Sequence, residues 1–276
     1  MKISAVIITR NEEKIIARCL DSIKWVDEII VVDSGSTDRT VAICKGYGAR
    51  VILKKWEGYA KQKNFAISKV KNSWILSLDA DEIVTTELKD ELINIVKKET
   101  VYSKTSADLP IKYGASIVGY YIPRKTYFYG HLLKYGNIYP DSQLRFFRKN
   151  TGKFEETEIH ERFILKGKAS NLKAPLLHYS KKSIKAHIKA MNSYTALEVQ
   201  RAIKIKYVPT GYSVIIKPIL YFMKHYFIKV GFLDGVAGLV YYSISAAYIF
   251  VKEIKILEAI GLSKVKLIRT ILKKAR

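Results

Sequence analysis

Four short apolar runs within the first 79 residues each end in a polar corner, and this repetition limits what the chain can fold into more than any other feature. Ile3 to Thr9 leads into Arg10, Asn11 and Glu12, then into Ile15, Ile16, Leu20 and Ile23 at helical spacing. Glu28 to Asp33 is followed by the turn-rich Ser34 to Asp38, a helix over Thr40 to Tyr47, and a stop at Gly48. A third strand is expected over Arg50 to Leu53 and a helix over Lys61 to Lys69; a fourth strand, Ser73 to Leu78, ends abruptly in Asp-Ala-Asp-Glu. The order β-α-β-α-β-α-β predicts parallel strands covered by helices, with right-handed crossovers and ligands bound beyond the strands' carboxyl ends.

Beyond that point the spacing predicts an amphipathic helix over Thr86 to Lys98 and a polar insertion over Lys104 to Ser116. Further strands are expected over Gly119 to Phe128, Gln143 to Arg148 and Leu172 to Tyr179. Between Tyr127 and Pro140 lie six aromatic residues, counting His131, which suits either a sugar-binding or lid loop or a packed hairpin. From Ser183 the pattern is helical, with Ile184, Ile188, Met191, Tyr194 and Leu197 near one face. We therefore expect a catalytic α/β domain over 1–181, its donor half about 1–100 and its acceptor half about 101–181, and a basic amphipathic helical region over 182–276. Gly235 to Val251 is a run of 17 residues without a charge, just under the ~20 of a bilayer-spanning helix. In the last piece Val265, Ile268 and Leu272 share a side, with Lys266, Arg269 and Lys273 largely on the other.

A formal charge of +23 implies an anionic partner. Lys181 to Arg276 carry 18 Lys or Arg against four Asp or Glu, so 14 of the 23 net positives lie there. Their lysines are interleaved with long apolar runs rather than with glycine-rich or base-stacking patterns, which argues against nucleic acid and for an anionic membrane surface. The alternative for this region is a soluble helical subdomain or the interface of a homo-oligomer. Cys19 and Cys44 form no CxxC pair and fit a reduced compartment. The first residues lack a signal-peptide pattern. A bacterial cytoplasmic location, peripheral on the inner face of the plasma membrane, is the expectation.

Asp79-Ala80-Asp81 closes a buried strand, where neighbouring carboxylates repel unless a cation or hydrogen bonds compensate. A divalent ion, Mn2+ or Mg2+, would do so, since both prefer oxygen ligands and are commonly held by one or two carboxylates plus substrate phosphates. Asp33, Ser34, Ser36 and Asp38 could instead form simple turns capping the next helix. Arg145 and Arg148 lie on an alternating strand, three apart and so on opposite faces, and Arg145 is the expected site residue.

Five segments in order resemble the inverting family 2 glycosyltransferases with the GT-A nucleotide-diphosphosugar fold. They are the Thr9-Arg10-Asn11-Glu12 corner, the Val32 to Asp38 loop, Gly58 to Asn64, Asp79 to Asp81, and Ile159-His160-Glu161. Within that family the chain is most similar to the lipopolysaccharide core β-glucosyltransferases, closely over roughly residues 1–180. The resemblance implies a GT-A fold, a Rossmann-like mixed sheet. It implies a UDP-hexose donor whose uracil Asp33 accepts from, with Thr9, Asn11, Glu12, Ser34, Gly58, Lys61, Lys63, Asn64, Asp79, Ala80 and Arg145 around the nucleotide. Asp81 would be the more direct metal ligand, Asp79 a second, and His178 a third metal or diphosphate contact. Glu161 would be the catalytic base that deprotonates the acceptor hydroxyl, with Asp141 as runner-up base or sugar contact.

What the resemblance implies is transfer of a hexose, glucose first, to a lipid-linked saccharide such as the heptose of a lipopolysaccharide inner core, by single displacement with inversion. A polyprenyl-phosphate acceptor is the alternative, for which a base like Glu161 is unnecessary because the acceptor is already an anion. A non-catalytic glycan- or lipid-binding protein would keep the fold without needing to keep these carboxylates.

Overall fold

The computed structural model describes residues 2–105, 117–156, 162–180 and 183–261. The chain order is β1 (Ile3–Thr9), α1 (Ile16–Ser22), β2 (Glu28–Asp33), α2 (Thr40–Gly46), β3 (Arg50–Leu53), α3 (Tyr59–Ser68) and β4 (Trp74–Asp79). Then come β5 (Glu82–Val84), α4 (Thr86–Thr105), β6 (Ile117–Ile122), β7 (Arg124–Phe128), β8 (His131–Leu132), β9 (Gln143–Arg148) and β10 (Gly152–Phe154). The rest are β11 (Phe163–Leu165), β12 (Lys168–Asn171), β13 (Leu176–Ser180), α5 (Ile184–Lys204), α6 (Lys217–Phe222) and α7 (Gly235–Ile260).

The chain divides into two compact units, residues 1–125 with 140–178, and residues 126–139 with 179–276. The cut expected near residue 181 is thus discontinuous, and 126–139, counted with the acceptor half, groups with the helices. Residues 106–116 of the expected insertion, and the terminal piece carrying Val265, Ile268 and Leu272, lie outside the described residues.

In the first unit seven strands form one sheet in the order β12-β6-β9-β4-β1-β2-β3. β1 pairs in parallel with both β2 and β4, and β2 with β3, whereas β9 runs antiparallel between β4 and β6. The sheet is therefore mixed. Strands β1 to β3 step outward in one direction and β4 falls on the other side of β1, so the order reverses between β1 and β4 and leaves a crevice at their carboxyl ends.

β1 is buried at all seven positions, as a central strand covered on both faces must be. Ala5 and Ile7 join Ile16, Leu20, Leu88 and Leu92 in one core, and Val6 and Ile8 join Ala60, Ala66 and Phe147 in the other. The strand expected over Gly119 to Phe128 is broken at Pro123, and the one expected from Leu172 starts only after Pro175, because proline has no N–H for a ladder. Strands β5, β8, β10, β11 and β12 are two to four residues long, too short to show a period.

In the second unit β8 returns on the end of β7 through Tyr129 and Gly130, both at positive φ, 49° and 84°. Such pairs close two-residue hairpins. The following loop is bound to the helices. Lys134 N and Tyr135 N donate to the Asp234 carboxylate at 3.0 Å each, Tyr242 OH donates to Tyr135 O at 2.7 Å, and Gly136 N donates to Lys229 O at 2.8 Å. A Cβ on Gly136, whose φ is 72°, would stand 1.9 Å from the Tyr242 hydroxyl. Of the two readings of the aromatic stretch, a packed hairpin is the one observed through Gly136, with Phe128 and Leu133 buried.

Ser183 caps α5 by accepting from Ala186 N at 3.1 Å. α5 meets α7 where Lys255 Nζ donates to Asn192 O at 3.0 Å and to Thr195 Oγ1 at 2.9 Å. α7 runs 26 residues, beyond the uncharged stretch read from the sequence. Among the described residues, one helical stretch, Gly231–Ile260, is long and apolar enough to cross a membrane by length and composition.

Candidate active site

Strand register decides what the polar corners share. Thr9 lies opposite Asp33 and Ile8 opposite Asp79, so β1, β2 and β4 end in one row at the crevice. Ala80 is buried in the core, while the side chains of Asp79 and Asp81 keep 31% and 32% of their surface exposed.

Asp79 is already neutralised by protein cations. Lys63 Nζ lies 3.0 Å from its Oδ1, and Arg145 Nη2 lies 2.5 Å from its Oδ2. The same Arg145 nitrogen donates to Glu82 Oε1 at 2.6 Å. Glu82 is fully buried; its Oε2 accepts from Asp79 N at 2.9 Å and its Oε1 also accepts from Arg124 Nη1 at 3.1 Å. Arg124 in turn holds Asp141 through Nε at 3.0 Å and through Nη2. Burial alone would raise the Asp79 carboxyl, but Arg145 and Lys63 outweigh it and hold it far below the usual carboxylate range. Burial would likewise lower Arg145, yet Asp79 and Glu82 keep its guanidinium firmly charged.

These contacts place several of the expected residues. The charge of Asp79 is met by Lys63 and Arg145, so repulsion within the Asp79-Ala80-Asp81 triplet is relieved before any metal arrives. Arg145, expected at the donor, is engaged with two carboxylates, and Arg148 on the opposite face lies over the Trp74 ring. Asn64 exchanges a reciprocal pair of 2.8 Å bonds with the Phe154 backbone, a clamp between α3 and β10 rather than a free polar head. Lys61 is exposed on α3. Asp141 accepts from Arg124 and from Gln143 Nε2 at 2.7 Å. Burial would raise its carboxyl, but Arg124 and Gln143 lower it overall.

At the end of β2, Asp33 is buried and accepts from Gly35 N at 3.0 Å, Ser36 N at 2.9 Å and Ser36 Oγ at 2.5 Å. A carboxylate has about four acceptor positions, so roughly one remains for a ligand N–H. Asp38 accepts from Thr40 N at 3.0 Å, a tight turn just before α2, and from Glu13 N of the neighbouring loop at 3.2 Å. Asn11, at φ 56°, joins the two loops: its N donates to Ser36 Oγ and its Oδ1 accepts from Thr37 N, both at 2.8 Å. Glu12 O accepts from Ile15 N and Ile16 N at the start of α1, and Glu12 N donates to Thr40 Oγ1. Ser34 Oγ accepts from Gln62 Nε2 at 2.9 Å. Gly58 precedes α3 at φ 106°, a conformation that side-chain-bearing residues resist. Buried Thr9 Oγ1 has no partner among the described residues and lies on β1, between the ends of β2 and β4.

Asp81 faces His178, with Oδ2 and Nε2 3.6 Å apart. They meet because β5 pairs antiparallel with β13, Glu82 opposite His178. Among the described residues no three His, Cys, Asp or Glu side chains converge on a metal position. Asp81 and His178 nevertheless fit a Mn2+ or Mg2+ ion of the kind that takes its remaining ligands from water and phosphate. His178 Nδ1 is buried without a partner among the described residues. Glu161, with His160 and Ile159, lies outside the described residues.

Sequence reasoning missed Glu82, Arg124 and Gln62. Glu82 carried a signal, a carboxylate entering an apolar strand directly after Asp81; Arg124 and Gln62 carried none, since only the fold brings them to the strand ends.

A family model described as Glycosyl transferase family 2 matches residues 4–153. The chain is 29% identical over 264 residues to the lipopolysaccharide core biosynthesis glycosyltransferase LpsC of Rhizobium meliloti (strain 1021), covering 91% of this chain and 92% of that protein. It is 33% identical over 266 residues to an uncharacterized glycosyltransferase of Rickettsia felis, covering 95% and 92%. Among solved structures, it is similar to Mycobacterium tuberculosis glucosyl-3-phosphoglycerate synthase in complex with Mn2+, UDP and glucosyl-3-phosphoglycerate, at 32% identity over 30% of this chain and 34% of that one, TM-score 0.28. It is also similar to S. aureus TarS 1-349 in complex with UDP, at 19% identity over 72% and 66%, TM-score 0.43.

Proposed function

The chain belongs to glycosyl transferase family 2, and from that premise we propose that it transfers a hexose, glucose first, from a UDP-sugar to a lipid-linked saccharide such as the heptose of a lipopolysaccharide inner core. The observation that carries this reading is the row of strand ends at the β1/β4 crevice. It sets Asp33 on one side and the Asp79-Ala80-Asp81 turn on the other, with Asp81 paired to His178.

In this reading the base and ribose lie against Thr9, Asn11 and Asp33, and Gly58 lets α3 begin close to the donor. Asp81 and His178 would hold a divalent ion, which would offset the negative charge on the departing diphosphate. Asp79, kept anionic by Lys63 and Arg145, orients the turn and offers its remaining acceptor positions to the donor. Glu161 takes the proton from the acceptor hydroxyl, because Asp141 is committed to Arg124. A single displacement then turns an α-linked donor into a β-linked product, and product NMR reporting an α linkage would rule inversion out. The helical unit, with its exposed apolar side chains and its lysines, rests on the inner face of the bacterial plasma membrane, where a lipid-linked acceptor lies.

The deciding experiment is thermal unfolding with UDP-, GDP-, dTDP- and ADP-sugars, each with Mn2+ and with chelator. A hundredfold excess over Kd contributes about 2.7 kcal/mol, a rise of roughly 5 °C or more in a protein of this size. We expect that rise for UDP-sugars with metal alone; no shift with any of them would overturn the donor assignment.

A further inference from the structure

We propose that Glu82 is the positioning residue that aligns the transfer site. The proposal rests on the transferase reading above and adds a residue to it. Glu82 is fully buried, yet its one carboxylate binds the Asp79 backbone and two guanidiniums, those of Arg145 and Arg124. Oε2 accepts from Asp79 N at 2.9 Å and so closes the Asp79-Ala80-Asp81 turn on itself. Oε1 accepts from Arg145 Nη2 at 2.6 Å, the same nitrogen that binds the Asp79 carboxylate. Oε1 also accepts from Arg124 Nη1 at 3.1 Å, and Arg124 grips Asp141. Through its backbone Glu82 stands opposite His178 in the β5–β13 pair, the pairing that brings His178 to Asp81.

Filling space does not account for this. An ion taken out of water loses several kcal/mol of hydration, and an apolar residue would pack β5 without that loss. The position instead requires an anion with two separate acceptor oxygens. One oxygen holds a backbone; the other is shared by two guanidiniums that lead to Asp79 and to Asp141. Glu82 acts only through these residues, which ties the donor-side turn to Asp141 across β5, β7 and β9.

Glu82→Gln keeps the shape and withdraws the shared charge. With UDP-glucose and a heptose-terminated lipopolysaccharide core as probes, kcat should fall on the order of 10–100-fold while the donor KM moves by less than about threefold. In calorimetric titrations of UDP, which read binding without turnover, the Mn2+ concentration for half-maximal binding should rise on the order of tenfold. A role in packing alone predicts a lower Tm, with kcat per folded molecule and the Mn2+ midpoint both at wild-type values, and that result overturns the proposal. Should Glu82→Gln not fold, Arg124→Gln decides. Reduced kcat/KM for the acceptor with wild-type UDP binding supports the network, and wild-type values for both overturn it. A wild-type protein without metal-dependent UDP binding refutes the transferase reading and the proposal together, an outcome distinct from variants that match an active wild type.

Discussion

The two units treat charge and apolar surface in opposite ways. The first buries Lys63, Glu82 and Arg145 near the strand ends and pairs Lys63 and Arg145 with Asp79 and Glu82 with Arg145 and Arg124, while its apolar side chains fill two cores on either face of the sheet. The second leaves Ile219, Phe227, Ile228 and Val236 in view, the last two 75% and 76% exposed. Its one buried carboxylate among the described residues, Glu253, accepts from Tyr207 OH at 2.9 Å and lies 3.1 Å from Lys252 Nζ. Compensated charges beside a crevice suit a ligand carrying phosphates. Exposed apolar side chains set among lysines suit an anionic lipid surface, since soluble monomers rarely show large apolar patches without a partner.

The contrast can be broken most forcefully at Arg145. Arg145→Met leaves Asp79 and Glu82 facing each other with one cation fewer, and removing one partner of a buried pair costs about 3–5 kcal/mol. All three tryptophans, Trp25, Trp56 and Trp74, lie in the first unit, so urea unfolding followed by tryptophan fluorescence reads that loss where it occurs. A midpoint equal to wild type would show that the cluster does not hold the unit together.

Asp81→Asn should leave that midpoint nearly unchanged, because Asp81 is part-exposed and its one ion-pair neighbour among the described residues, His178, is 3.6 Å away. Turnover of UDP-glucose should nevertheless fall about 10³-fold, the several kcal/mol that a metal contributes to the leaving group. Equal losses of stability and turnover would reject the separate roles proposed for Asp79 and Asp81.

In the helical unit the expected effect is smaller and appears elsewhere. Burying an Ile or Phe side chain is worth about 1.5–3 kcal/mol, so Phe227→Glu with Ile228→Glu should weaken co-sedimentation with anionic vesicles at least tenfold while UDP binding stays at wild type. Unchanged co-sedimentation would reject this face as the membrane contact.

The smallest effect is on acid stability. Asp79 is held far below its unfolded value, which is about 3.9, so across the acid range the unfolded chain binds the proton first and stability rises with pH. Its contribution is fully present above about pH 5 and is lost as pH falls through the unfolded value toward the folded one. Arg145→Met should flatten that slope, and an unchanged slope would assign acid sensitivity to other carboxylates.

Much of the first unit was legible because its strands are β-branched runs closed by turn residues and its helices keep a clear apolar period. The four parallel strands, the helices between them and the placing of Asp33 and Asp79 at carboxyl ends all follow from that pattern. The antiparallel β9 between β4 and β6 did not follow, since pairing partners far apart in the chain leave no mark on local period. Lys63 and Asn64 show the same limit. Adjacent on α3, they point to different tasks, one to Asp79 and one to the Phe154 backbone, and no spacing rule separates them. The aromatic residues after Tyr127 read equally as loop or hairpin, and only the close fit of Gly136 under Tyr242 shows where the chain packs.

The sequence by itself determined the class of fold, the strand ends at which polar residues collect, and the excess of cations in the last third, because these depend on residue order and composition alone. The tertiary structure decided which charges neutralise one another. It gave Asp79 to Lys63 and Arg145, committed Asp141 to Arg124, left Asp81 with His178, and put the unforeseen Glu82 at the centre of the cluster. Electrostatic energies depend on distance and burial, and those exist only once the strands are in register.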